Sequence, residues 1–313
     1  MHYSADTPRN QNNNLRSIIL LLIAFFIFSI ADAIVKLLSS DYAVLEIVTI
    51  RSLIALPIVF FILRRSGRKI KEVFSATQPT QFWRGFAMFA AYLFFFLALA
   101  ALPYSLMIGI FFAGPLFITA LSVPMLGESV GWRRWMAVLI GFVGVLIIID
   151  PRGTFEPATL LALAAAFCYA ISIVLTRKMS DSAQVTAAWT NLVYIAGALV
   201  LSPIFASLSF DSLHPSIVFL TKAWVMPSWL DLGLISLLAC GWGGGMVLLS
   251  SAYRDTPVAV LAPFEYFSMV YGLALGYLFW REIPTFQMLV GVALIICSGL
   301  FIIYRQRNQE ETE

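Results

Sequence analysis

Apolar residues run along this chain in blocks of about 20, separated by short polar or glycine- and proline-bearing punctuation. A helix rising 1.5 Å per residue needs roughly that length to cross a hydrocarbon core about 30 Å thick. Ten such blocks predict membrane spans near residues 17–38, 43–63, 82–101, 104–126, 133–149, 158–176, 184–207, 229–251, 257–280 and 285–304. The pattern therefore predicts an all-α integral membrane fold, with polar tails at 1–16 and 305–313. The Asn-rich stretch from Asp6 to Arg16 leads into the first block and no small-residue cleavage pattern follows it, so a retained first helix is expected.

The second five blocks read as a degenerate copy of the first five. A shift of 154 residues lays Pro103 on Pro257 and Glu128 on Glu282, while near the start of each half a shift of 142 lays Ala24-Phe25 on Ala166-Phe167 and Lys36 on Lys178. The difference of 12 falls where the loop from Leu208 to Ser228, with Pro215 and Pro227, is longer than its counterpart after the second span. The expected domains are 17–149 and 158–304, two five-helix repeats. A unit with an odd number of spans, repeated, enters the membrane in opposite orientations. Such an inverted repeat supplies two nearly equivalent conformations, one open to each side, which points to transport by alternating access.

Composition agrees with lipid as the main solvent. Hydrophobic residues make up 60% of the chain and charged residues 12%, with a mean hydropathy of +0.89, too little polar surface to clothe a soluble globule. Of 20 Lys and Arg, Arg51 falls inside a span and Lys36, Arg152, Lys222 and Arg281 fall on the side opposite the N-terminus, leaving fifteen on the N-terminal side. That imbalance predicts both termini in the cytoplasm. It also accounts for the net charge of +3 without a nucleic-acid partner. Cys168, Cys240 and Cys297 lie inside spans without Cys-x-x-Cys spacing, and the two histidines, His2 and His214, lie in the tail and a loop. Neither a metal centre nor a cofactor is expected. There is no Gly-rich nucleotide loop ending in Lys-Ser/Thr, so an ion or substrate gradient is the expected energy source.

Each half closes with a Pro-initiated helix, a Gly-Glu or Arg-Glu turn and a Gly-bearing last helix: Pro103 to Gly144 with Gly127-Glu128 and Gly141, and Pro257 to Gly299 with Arg281-Glu282 and Gly291. This arrangement resembles the drug/metabolite transporter superfamily, EamA type. The resemblance implies a ten-helix secondary carrier in a bacterial cytoplasmic (inner) membrane, monomeric or homodimeric. Its central cavity would be lined by the first four helices of each half, with the fifth peripheral. Its cargo would be a small polar organic metabolite: an amino acid, or a nucleoside- or cofactor-like, including cationic, molecule. The segment Leu261 to Tyr266 looks like a variant of the corresponding one in members linked to S-adenosylmethionine or riboflavin uptake.

Ionisable groups deep in a span each cost roughly 2.5–3.5 kcal/mol on insertion scales, which singles out Asp32, Arg51 and Glu265. Arg51 could hold a substrate carboxylate or phosphate while Asp32 or Glu265 holds an ammonium group or exchanges a proton. Alternatively, Arg51 pairs structurally with Asp32 or Glu46. Glu265 follows Pro263, which removes a backbone donor and opens the helix ladder. Lys36 and Glu46 are expected at the outer rim, and Glu128, Glu282, Arg133 and Arg134 as loop anchors. Deep aromatics with polar tips, Tyr92, Trp189, Tyr194, Trp242 and Tyr266, together with Asn191, complete the expected binding set. Gly241 to Gly245 around Trp242 reads either as a close-packing surface or as a hinge. The rival functions are a lipid or lipid-linked-sugar flippase and an integral-membrane lipid-modifying enzyme; neither Asp32 nor Glu265 comes with the paired carboxylate or His that catalysis would need.

Overall fold

The computed structural model describes residues 8–67, 69–75, 78–128, 130–150, 156–207, 214–256, 261 and 264–310. Regular structure among them is all helical. The first half holds α1 (Pro8–Leu38), α2 (Val44–Arg65), a short α3 (Lys71–Ser75), α4 (Gln78–Ala101), α5 (Tyr104–Phe111), α6 (Gly114–Leu126) and α7 (Trp132–Ile149). The second holds α8 (Ala158–Arg177), α9 (Ala183–Ala206), a short α10 (Pro215–Thr221), α11 (Trp229–Asp255), α12 (Phe267–Trp280) and α13 (Phe286–Glu310).

Among the described residues, eight stretches are long and apolar enough to cross a bilayer, and two shorter apolar helices, Phe267–Trp280 and Phe286–Ile302, stand where the ninth and tenth spans are expected. Both outer boundaries differ from the sequence reading. The first helix begins at Pro8 and takes in the Asn-rich stretch, because proline is tolerated in a first turn whose N–H groups have no intrahelical partner. The last helix runs to Glu310, beyond the expected end at 304.

The repeat is visible atom by atom at the two Glu turns. Gly127 ends α6 in the left-handed region (φ 71°), with its N–H on the Val123 carbonyl and that of Glu128 on the Ser122 carbonyl. At the positions 154 residues later, Arg281 ends α12 at φ 57°, with its N–H on Tyr277 and that of Glu282 on Gly276. Both are αL closures, in which the amide of the left-handed residue returns to the carbonyl four residues back and the last carbonyls of the helix are satisfied. The second uses an arginine where left-handed backbone costs a non-glycine residue roughly 1–2 kcal/mol.

Packing follows the same exchange of halves. α1 lies against α11 and α12 as α8 lies against α4, α5 and α6; α2 pairs with α9 and α7 with α13 across the middle. The fourth span is broken between α5 and α6 at Phe112-Ala113, because the ring of Pro115 cannot follow the carbonyl of Phe111 in a continuous helix. The repeat-related position, Tyr266, is the turn residue that opens α12.

The α7–α13 pairing is backbone on backbone. A Cβ on Gly291 would come within 2.6 Å of the Gly144 carbonyl oxygen, and one on Gly144 within 2.8 Å of the Gly291 oxygen. In the long loop, Ser216 donates to the Leu97 carbonyl at 2.7 Å, and its own N–H donates to His214 Nδ1 at 3.3 Å. The His214 proton is thereby placed on Nε2, 2.7 Å from Glu156. That bond holds the Glu156 carboxyl below the usual carboxylate range, so its contribution to stability is present at neutral pH and is lost as pH falls through the lowered value.

Substituting Gly291 by Ala overpacks the seam, a change that typically costs about 1–3 kcal/mol, and lowers the melting temperature in detergent. Gly243, whose Cβ would meet nothing within 4 Å, gains helix propensity as Ala and leaves stability equal or higher. Thermal unfolding of the two variants side by side checks the seam; equal melting temperatures would refute it.

Candidate functional site

Arg51 stands two turns into α2 and is 7% exposed. Its guanidinium carbon lies 4.8 Å from the Tyr92 ring centre, 5.5 Å from that of Tyr194 and 5.5 Å from that of Trp242, so α4, α9 and α11 each supply one wall. Aromatic faces stabilise a cation by roughly 0.5–2 kcal/mol each, more where water is excluded. Trp242 is backed by Phe28 of α1 at 4.9 Å. The glycines beside it make this possible: Gly245 sits directly under the Phe28 ring, and a Cβ on Gly241 would meet Ile27 at 3.3 Å. The glycine run is thus a close-packing surface for α1 at two of its positions, while Gly243 and Gly244 face open space.

The cage keeps hydrogen-bonding capacity in reserve. Arg51 Nε and the Tyr92 hydroxyl are both buried with no partner among the described residues. Tyr194 donates to the Met88 carbonyl at 3.1 Å. Asp32, one turn beyond Phe28 on α1, is half-buried and within electrostatic reach of Arg51, yet the two form no ion pair within 4 Å. The Arg51–Glu46 alternative is not formed either: Glu46, in the first turn of α2, is 2% exposed and accepts the N–H of Val225 in the loop before α11 at 3.4 Å.

Glu265 and Tyr266 belong to a second group at the break in the ninth span. Tyr266 faces Phe112 across the molecule with ring centres 5.4 Å apart, so the two helix breaks meet ring to ring. Its hydroxyl abuts Gly299 of α13. Glu265 is half-buried and its charge reaches Tyr169 and Tyr266; Pro263 lies outside the described residues. A continuous run of rings links the groups along α4: Tyr92 to Phe96 at 4.5 Å, Phe96 to Phe95 at 5.0 Å, Phe95 to Phe111 at 5.0 Å and Phe111 to Tyr169 at 5.3 Å.

Trp189 and Asn191 are placed differently from this cage. Trp189 and Tyr194, five residues apart, point about 140° apart around a helix of 3.6 residues per turn. The Trp189 indole N–H donates to the Val73 carbonyl of α3 at 2.7 Å, in a cluster with Val185 and Ala188, and the Asn191 amide returns to Ala187 of its own helix at 2.9 Å. Sequence reasoning missed Arg84, which is 4% exposed and donates to the Thr186 carbonyl at 3.1 Å and to the Thr190 hydroxyl. Its place near a span end disguised it as one more cytoplasmic charge. Among the described residues no group of three His, Cys, Asp or Glu could hold a metal ion.

Comparison with known proteins places this architecture. The model of the EamA-like transporter family matches residues 15–150 and again 157–304. An S-adenosylmethionine uptake transporter of Rickettsia prowazekii is 26% identical over 198 residues, 63% of this chain and 62% of that protein, so the chain spans just under two thirds of that relative's length. A riboflavin transporter of Vibrio cholerae is 28% identical over 66% of this chain and 64% of its own, and the pseudopaline exporter CntI of Pseudomonas aeruginosa is 26% identical over 90% and 93%. A solved crystal structure covering 97% of this chain and 100% of its own superposes with a TM-score of 0.60 at 16% identity, which shows likeness of fold. With its family model matched in both halves of a ten-helix membrane fold, this chain belongs to the EamA-like transporter family.

Proposed function

We propose that this protein is a secondary transporter that carries a small polar organic metabolite across the cytoplasmic membrane by alternating access between its two repeats, 17–149 and 158–304. The observation that carries the reading is the Arg51 cage: a buried cation, ringed by Tyr92, Tyr194 and Trp242, with an unpartnered donor beside an unpartnered tyrosine hydroxyl. A buried polar group without a partner costs about 1–3 kcal/mol. A ligand carboxylate or phosphate would relieve that cost and receive a charge-assisted bond in return.

The aromatic walls suit a cargo with a planar or apolar body attached to that anionic group. Asp32, close by and not paired with Arg51, is placed to receive an ammonium group on the same cargo. Relatives named for S-adenosylmethionine uptake, riboflavin transport and pseudopaline export support an organic metabolite as cargo and include both directions of movement. The excess of basic residues on one side supports cytoplasmic termini.

A thermal-shift screen of the detergent-purified protein against amino acids, nucleosides, S-adenosylmethionine and riboflavin is expected to find a stabilising ligand. Arg51→Lys keeps the charge but loses the planar, stackable fork, so it weakens that ligand at least about tenfold while the ligand-free melting temperature stays within a few degrees. Unchanged affinity would move the site away from Arg51. Trp189→Phe, which removes the bond to Val73 and part of the ring's packing away from the cage, leaves ligand affinity unchanged. A green fluorescent reporter fused to the C-terminus, which folds in the cytoplasm, is expected to fluoresce; a dark but stable fusion would reverse the orientation.

A further inference from the structure

The outer end of the molecule is joined by a compact polar cluster that the substrate cage does not use. Lys36, at the end of α1, is 11% exposed, pairs with Glu282 at 3.6 Å and donates to the Leu102 carbonyl at 2.6 Å. Glu282, held by the left-handed turn at Arg281, accepts the N–H groups of Tyr104 and Ser105 at 2.7 and 2.9 Å and the Ser105 hydroxyl at 3.0 Å. It thereby satisfies the free amides that open α5 and meets the positive end of that helix. Trp280 fills the remaining space, with Lys36 5.0 Å above its ring and Tyr104 stacked on it at 5.6 Å. The Tyr104 hydroxyl donates to the Ser29 carbonyl at 2.8 Å.

These contacts join two groups of helices. Lys36, Trp280 and Glu282 belong to α1, α12 and the turn after α12, and α1 packs with both α11 and α12; Leu102, Tyr104 and Ser105 belong to the α4–α5 side, which packs around α8 and meets α12 along α5. Asp32 lies one turn below Lys36 on α1, so the cluster stands between the outer solvent and the cage.

The other end of the molecule is different. Glu128, the repeat counterpart of Glu282, pairs with Arg177 at 3.4 Å, and the two side chains are 38% and 45% exposed, against 13% and 11% for Glu282 and Lys36. Lys178, the counterpart of Lys36, is exposed. The two ends of a repeat that should be alike are thus in different states.

We propose that Lys36 and Glu282 form a latch that seals the outer side of this transporter, and that the latch must release from the Tyr104–Ser105 end of α5 for cargo to pass between the cage and the outer solvent. The proposal rests on the transport reading above, but its test needs no cargo. Ser29 lies two turns below Lys36 and is 5% exposed. In a chain with Cys168, Cys240 and Cys297 replaced by Ala, Ser29→Cys is treated with a membrane-impermeant thiol reagent, in right-side-out and in inverted membrane vesicles.

With the latch intact, labelling from the outside is slow. Adding Glu282→Ala or Lys36→Met raises the outside rate at least tenfold, and Glu128→Ala leaves it within twofold. Two latch variants are used so that poor folding of either, judged by gel filtration, leaves the other to decide. An outside rate unchanged in the well-folded variant overturns the latch. An increase confined to inverted vesicles keeps the latch and overturns the orientation. An increase in a protein for which no cargo is found overturns the cargo reading alone.

Discussion

A chain dissolved in hydrocarbon has no water with which to finish its backbone hydrogen bonds, so every interruption of a helix must be closed by another part of the same chain. That constraint explains where this protein places its polar residues. The last carbonyls of α6 and α12 are closed by matching left-handed turns at Gly127 and Arg281. The first amides of α5 are closed by Glu282, a residue of the other half. Where Pro115 breaks the fourth span, the break is seated against the turn at Tyr266 instead of lipid, with Phe112 covering it.

Three buried cations show how differently one cost can be met. Lys36 has a carboxylate and a carbonyl, Arg84 has a threonine hydroxyl and a carbonyl, and Arg51 has three aromatic faces. Arg84 Nε, like Arg51 Nε, is buried without a partner among the described residues. What sets Arg51 apart is that aromatic faces from three helices surround its charge, whereas Lys36 and Arg84 are tied to oxygen atoms of neighbouring helices.

Much of this was legible in the chain, for reasons particular residues make plain. The 154-residue shift that pairs Pro103 with Pro257 and Glu128 with Glu282 also pairs the helix-closing bonds, because a helix stop is a local conformation written in a few adjacent residues. Arg51, Tyr92, Tyr194 and Trp242 could be drawn together in advance because each puts a polar or cationic tip deep in an apolar span. Trp189 shares that description, but its N–H goes to α3, a one-turn helix in a polar loop with no apolar period to announce it. The Lys36–Glu282 pair was hidden for a different reason. Both looked like rim or loop residues, and only the packing of α1 beside α12 and across from α5 brings them to one point.

The contact between the Tyr266 hydroxyl and Gly299 joins the helix break to the last span through a single oxygen atom. A side chain at 299 would drive its Cβ into the Tyr266 hydroxyl, and with phenylalanine at 266 the ring Cζ would still stand 2.9 Å away, so the ring must shift as well. The two positions are therefore one choice written in two places. A methyl group at 299 therefore calls for both the loss of the hydroxyl and a movement of the ring that carries it.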